Sequence, residues 1–154
     1  MEPARTAVAS DLPVLASLAR DLRTEMREQR GGMLWATREA RAEPHEESLA
    51  ALLARSDASI VVGTIDGSIV GFGTVEIEEL RDGTRLGVIG DLFVEKEARA
   101  VGVGESIAVL IVAFCAEHGC IGVDAYALPG ARDAKNFFER SGFTARALVM
   151  HHKL

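Results

Sequence analysis

The run Gly90-Asp91-Leu92-Phe93-Val94-Glu95-Lys96-Glu97-Ala98-Arg99-Ala100-Val101-Gly102-Val103-Gly104-Glu105-Ser106 governs how the rest of the chain is read. Leu92-Phe93-Val94 is a short apolar run of strand formers and predicts a buried strand end. A charged turn follows, then Arg99-x-x-Gly102-x-Gly104. Beyond Gly104 the apolar residues Ile107, Leu110, Ile111, Phe114 and Cys115 fall at helical spacing on one face. A strand, a glycine loop and a helix N-terminus together make an anion cradle. Glycines admit close backbone approach, several N–H groups point into the loop, and the helix dipole adds about half a positive charge. Taken alone, such a loop also reads as a tight turn into a packed helix.

Three phosphate-binding patterns compete for this loop. A P-loop needs Lys-Ser or Lys-Thr after its last glycine, and Gly104 is followed by Glu105-Ser106. A dinucleotide fingerprint needs a third glycine where Ile107 stands. The remaining pattern fits: Leu92-x-Val94, Arg99-x-x-Gly102-x-Gly104 and an amphipathic helix resemble the acetyl-CoA-binding core of the GNAT superfamily of N-acetyltransferases.

Composition narrows the remaining classes. A chain of 154 residues is expected to form one domain, residues 1–154, with a substantial core. The longest apolar run, within Ile107–Cys115, falls far short of the roughly 20 residues that span a bilayer. Met1-Glu2-Pro3-Ala4-Arg5 lacks the apolar centre of a signal peptide, so a cytoplasmic protein without membrane contact is expected. A formal net charge of −6 argues against a nucleic-acid partner and is compatible with a cationic or amine substrate. Cys115 and Cys120 read as packed thiols, and no metal-ligand spacing accompanies them.

In chain order, Arg5–Ala9 predicts a first strand and Ser10-Asp11-Leu12-Pro13 opens a helix, with proline in its first turn. Leu12, Leu15, Leu18, Ala19, Leu22 and Met26 form its apolar stripe, and Gly31-Gly32 ends it. Met33–Thr37, with the only tryptophan, predicts a loop that either plugs the core or lines an acceptor pocket. Pro44 begins a second helix with Leu49, Leu52 and Leu53 buried and His45 solvated. Asp66-Gly67 and Arg81-Asp82-Gly83-Thr84 then separate three antiparallel strands. The central helix stops at Gly119, Ile121–Leu128 predicts a strand, Ala134–Arg140 a helix ended by Gly142, and Thr144–Leu154 a closing strand.

The second informative stretch, Ala134-Lys135-Asn136-Phe137-Phe138-Glu139-Arg140-Ser141-Gly142-Phe143, also resembles the GNAT pattern, with Ala134, Phe137, Glu139, Gly142 and Phe143 in register. The resemblance covers nearly the whole chain. It implies an α/β (α+β) GNAT-like fold, a mixed and mostly antiparallel sheet flanked by helices in the order β-α-α-β-β-β-α-β-α-β. It further implies direct acetyl transfer from acetyl-CoA to an amine of a small molecule or peptide. Backbone N–H groups of Val101, Gly102, Val103, Gly104, Glu105 and Ser106 would hold the pyrophosphate, with Ala100 in the same loop and Arg99 adding charge. The backbone at Leu92, Phe93 and Val94 would pair with the pantetheine, and Lys135 would reach a phosphate.

Two positions depart from the family. Ala131 stands where Asn is usual, and Phe138 stands where a Tyr usually protonates the departing thiolate. Tyr126, the only tyrosine, is the alternative acid. Asp91 is the best placed base, because the Glu that members carry one position earlier is Gly90 here; Glu76 and Glu78 stand in reserve. These departures also admit a second class, an acyl-CoA-binding sensor or partner subunit with little catalysis. GNAT proteins are often dimers, and the edge left by a terminal strand predicts a homodimer.

Overall fold

The structure, a computed structural model, describes residues 3–154. Five strands lie in sequence order across one sheet: β1 (Ala4–Thr6), β2 (Ala58–Ile65), β3 (Ser68–Glu79), β4 (Arg85–Val94) and β5 (Cys120–Asp124). The first four pair antiparallel, and β5 runs parallel to β4 because α4 (Val103–Glu117) carries the chain back between them. One face is covered by α1 (Leu12–Arg27), α2 (Gly32–Arg38) and α3 (His45–Leu53). The other holds α4 and α5 (Arg132–Arg140). This is the mixed, mostly antiparallel sheet expected for a GNAT-like fold.

Alternation along the strands splits the core in two. Ile60, Val62, Phe72 and Phe93 face α1–α3, while Val61, Val75 and Ile89 face α4. On α4, Val103, Ile107, Ile111 and Cys115 form an unbroken i, i+4 stripe at 2% exposure or less. The helix seats so closely because each of the three central strands, β2, β3 and β4, presents it with a glycine. A Cβ on Gly73 of β3 would lie 2.8 Å from both Ile107 Cγ2 and Ile111 Cδ1; one on Gly63 of β2 would strike Val103, and one on Gly87 of β4 would strike Cys115 Sγ. Burial pushes the Cys115 thiol up to about 12, with neighbouring Cys120 adding to the shift.

The structure corrects several expectations. Met33–Thr37 is helical, not a loop: Gly31, at φ +81°, turns the chain directly into α2. Trp35 then packs into the core on the α1 side at 8% exposure, while Met33 and Leu34 stay exposed. His45 is buried, not solvated, because it lies one and two turns before Leu49 and Leu52 on the inner face of α3. The strand after α4 stops at Asp124 instead of reaching Leu128.

The predicted closing strand Thr144–Leu154 is absent, so the order ends on α5 and three helices precede β2. A strand needs a neighbour's ladder to pair with, and no strand of the sheet takes this segment. Leu148, Val149 and Met150 are more than 80% exposed.

Candidate functional site

β4 and β5 pair only from Arg85↔Cys120 to Val88↔Asp124. Beyond that point β4 continues for six residues while the chain after Asp124 diverges. Ala125–Leu128 carries Leu128 across to the core on the α1 side, where Gly31 and Leu128 approach each other. A wedge-shaped gap therefore opens beside Ile89–Val94.

The backbone groups that face this gap follow from the ladder on the other edge. Glu95 N–H donates to Val70 O on the β3 side at 2.8 Å, so by alternation the backbone groups of Val94 and Leu92 point away from β3, into the gap. Val94 O accepts from Arg99 Nε at 2.7 Å.

A bulge sets this geometry. Thr74 pairs with Asp91 and Val75 with Ile89, leaving Gly90 without a partner. The extra residue reverses the facing of β4: Gly87 and Ile89 look toward α4 before it, whereas Asp91 and Phe93 look toward α1 after it. Asp91 is thereby turned under the α2–α3 connection, where Arg41 meets it. Asp91 Oδ2 accepts from Arg41 Nη2 at 2.6 Å, Arg41 Nε at 2.9 Å and Thr74 Oγ1 at 2.7 Å. Arg41 Nη1 also donates to Ser48 Oγ at 3.1 Å, and Asp91 is 4% exposed.

The wedge leads to the glycine loop. Ala100 has φ +71° and Gly102 φ +90°, so a left-handed residue stands on each side of Val101. Left-handed residues in a turn before a helix are a recurring element of anion-binding concavities. The left-handed conformation costs a non-glycine residue of order 1–3 kcal/mol, and strain of this kind clusters at ligand sites. Gly102 caps α4, whose first-turn N–H groups have no intrahelical acceptor; Ser106 N–H reaches back to Gly102 O at 3.1 Å. Ser106 Oγ donates to the same carbonyl at 3.0 Å. A Cβ on Gly102 would meet nothing within 4 Å, whereas one on Gly104 would meet Phe137 Cε1 at 3.0 Å. Gly102 thus borders open space, and Gly104 seats α5 against the loop.

The charged side chains singled out in the sequence have partners within the fold. Arg99 bridges Val94 O and both carboxylate oxygens of Glu25 on α1, at 3.1 and 2.9 Å, and its guanidinium sits 5.5 Å from the Phe93 ring centroid. Lys135 pairs with Glu139 one turn along α5 at 2.8 Å. Arg140 approaches Glu105 in the first turn of α4 at 3.8 Å. Phe138 is buried between Phe137 and Phe143, with ring centroids at 5.4 and 5.2 Å, and Tyr126 stands 60% exposed beyond the end of β5. Glu76 is paired with Arg55.

Arg41, Thr74, Glu25 and Arg140 had no signature in the sequence. Each reaches the site through tertiary contact, Arg41 from 50 residues away. Beside the exit of β4, a groove of about 500 Å³ is lined by Phe93, by Lys96 and by the carboxylates of Asp21, Glu25, Glu28, Glu95 and Glu97, of which Glu25 is paired with Arg99 and Lys96. Among the described residues no cluster of three or more His, Cys, Asp or Glu could hold a metal, and no helix is long and apolar enough to cross a membrane.

Comparison with known proteins bears on the family and the fold. Residues 19–143 match the family described as Acetyltransferase (GNAT) family. A tetramutant of the BH1408 protein from Bacillus halodurans superposes with a TM-score of 0.84 at 17% identity, over 98% of this chain and 99% of that one. Glucosamine-6-phosphate N-acetyltransferase from Arabidopsis thaliana superposes at 0.70 with 19% identity, over 97% and 96%. An aminoglycoside acetyltransferase from an uncultured soil metagenomic sample, in complex with sisomicin, does so at 0.70 with 22% identity, over 98% and 93%. At these identities the likeness concerns the fold. No curated protein sequence matches the chain.

Proposed function

The chain belongs to the GNAT family of acetyltransferases, and from that footing we propose that it transfers an acetyl group from acetyl-CoA directly to an amine of a small molecule or peptide. The observation that carries this reading is the continuity of the wedge beside Leu92–Val94 with the strained loop Arg99–Gly104. One end of the path offers unpaired strand backbone, suited to the amides of a pantetheine arm. The other offers a ring of N–H groups at a helix N-terminus, suited to a pyrophosphate.

In the reaction, the neutral amine nitrogen attacks the thioester carbonyl carbon. A C–N bond forms, the C–S bond breaks, and the electron pair leaves on the thiolate. The Leu92 N–H, directed into the wedge, polarises the carbonyl oxygen. A coenzyme A thiolate is a tolerable leaving group, since thiols of this kind ionise near pH 8.5. Phe138 has no proton to give, so we assign protonation of the thiolate to Tyr126, which lies in the diverging chain two residues past β5.

Asp91 receives a different role from the one its sequence position suggests. With three donors on one oxygen, it holds the bulge in place, and the amine proton passes to water. The acidic groove beside Phe93 suits an acceptor that carries positive charge. The finer identity of that acceptor follows from its chemistry: a cation that can also present one neutral amine.

Thiol release from acetyl-CoA across amines, polyamines, aminoglycosides and peptide N-termini tests the reading. A turnover above hydrolysis with at least one amine is expected. Acetyl-CoA binding by calorimetry with no turnover on any amine would favour the second class, a GNAT-fold acyl-CoA sensor, which the buried Phe138 ring supports.

A further inference from the structure

We propose that Arg41 is a positioning residue of the transfer reaction: it clamps β3, β4 and α3 together across the bulge of β4 and thereby aims the Leu92 N–H at the thioester carbonyl. This role rests on the Leu92 N–H being the group that polarises that carbonyl. The bulge leaves Gly90 outside the ladder, between the pairs Val75↔Ile89 and Thr74↔Asp91. A bulge interrupts the ladder and bends its strand. Leu92 lies two residues beyond Gly90, so its direction follows the angle at which β4 leaves the bulge.

Arg41 fixes that angle from the side. Its Nε and Nη2 donate to Asp91 Oδ2 on β4 at 2.9 and 2.6 Å. Nη2 also donates to Thr74 Oγ1 on β3 at 3.2 Å, and Nη1 donates to Ser48 Oγ on α3 at 3.1 Å. All three guanidinium nitrogens are engaged. Thr74 and Asp91 are the pair at which the ladder resumes after the bulge, and the guanidinium binds both members. A rigid planar fork holds such partners at set angles, which a lysine ammonium cannot do.

The surroundings of the guanidinium fit this role. A Cβ on Gly90 would lie 3.1 Å from Thr74 Oγ1 and 3.4 Å from Arg41 Nη2, so the glycine standing where family members carry Glu leaves the guanidinium its room. Buried Trp35 on α2 and buried His45 on α3 anchor both sides of the connection that carries Arg41. Asp91, Thr74 and Ser48 all lie outside the glycine loop, so Arg41 governs the carbonyl and not the hold on the pyrophosphate.

The infrared stretch of acetyl-CoA labelled with carbon-13 at the thioester carbonyl tests this without any acceptor, because a stronger hydrogen bond to a carbonyl lowers its frequency. Bound to the parent protein, the band should lie below that of free acetyl-CoA in buffer. Arg41→Lys keeps the charge beside Asp91 but not the fork. It should bind acetyl-CoA with the parent's affinity and lose most of the downward shift, and Ser48→Ala should lose a smaller part. On an amine that supports turnover, Arg41→Lys should lower kcat by ~10²-fold, the effect of misplacing a reacting group by about 1 Å, with KM for acetyl-CoA unchanged. A parent band at the free position overturns polarisation by Leu92 and the role of Arg41 with it. A lowered band that both variants keep overturns the role of Arg41 alone, as does a loss of acetyl-CoA affinity as large as the loss in kcat. Should Arg41→Lys fail to fold, a full shift retained in Ser48→Ala overturns the role by itself.

Discussion

Arg41 and Asp91, fifty positions apart in the chain, meet at 2.6 Å beneath the bulge of β4. Their side chains are 12% and 3% exposed, so neither charge is left to water. Breaking a buried pair by removing one partner typically costs about 3–5 kcal/mol, because the other charge stays uncompensated. Arg41→Met and Asp91→Asn should each destabilise the fold by that order in urea unfolding, and the double variant by clearly less than their sum. If Asp91 only positions β4, Asp91→Asn should lower kcat while leaving the acidic limb of the kcat–pH profile in place. Disappearance of that limb would make Asp91 the base after all.

Gly102, at φ +90° and bordering open space, is expected to be required for acetyl-CoA. Gly102→Val strains a left-handed position and puts a side chain where the pyrophosphate would lie. Gly83→Val, at φ +86° in a turn at the far end of β4, supplies the same backbone strain away from the loop. Calorimetry should find acetyl-CoA affinity lost in the first variant and kept in the second. Equal affinities in both folded variants would remove the loop from the site.

The missing acid separates Tyr126 from Phe138. Tyr126→Phe should lower kcat by ~10²-fold, the lower end of what a general acid supplies, with acetyl-CoA affinity unchanged. Phe138→Tyr puts a hydroxyl into a buried aromatic cluster, where an unsatisfied group costs about 1–3 kcal/mol. It should raise kcat only if that hydroxyl reaches the wedge, and a gain in turnover alongside a lower melting temperature is the signature to seek. Full turnover in Tyr126→Phe would hand the proton to water.

The seat of α4 gives a prediction about packing. Gly87→Ala drives a methyl group into Cys115 Sγ and should cost about 1–3 kcal/mol, as overpacking does. Cys115→Ala in the same chain should recover part of that loss, since both changes act on one contact. The Cys115 thiol, raised to about 12 by burial, should resist alkylation in the folded protein while Cys120 reacts. Because the folded value lies above the ordinary 9.0, this thiol's contribution to stability is complete below pH 9 and declines as pH rises toward 12.

Local patterns in the sequence specified the strands, the glycine loop and most of the helices, because periodicity and turn chemistry act over a few residues. Asp66-Gly67 closes the β2–β3 hairpin, and Ile107, Ile111 and Cys115 face the sheet as their spacing requires. Arg99-x-x-Gly102-x-Gly104 opens α4 where the strand–loop–helix pattern put it. Contacts between distant segments were not legible, because no local rule says which charge a charge will meet. Tertiary structure alone decided that Arg99 binds Glu25, that Asp91 binds Arg41, and that Gly63, Gly73 and Gly87 line one groove for α4. The closing segment marks the same boundary from the other side. Thr144–Leu154 has the composition of a strand, but a strand exists only where a neighbour's ladder pairs with it, and this segment pairs with no described strand.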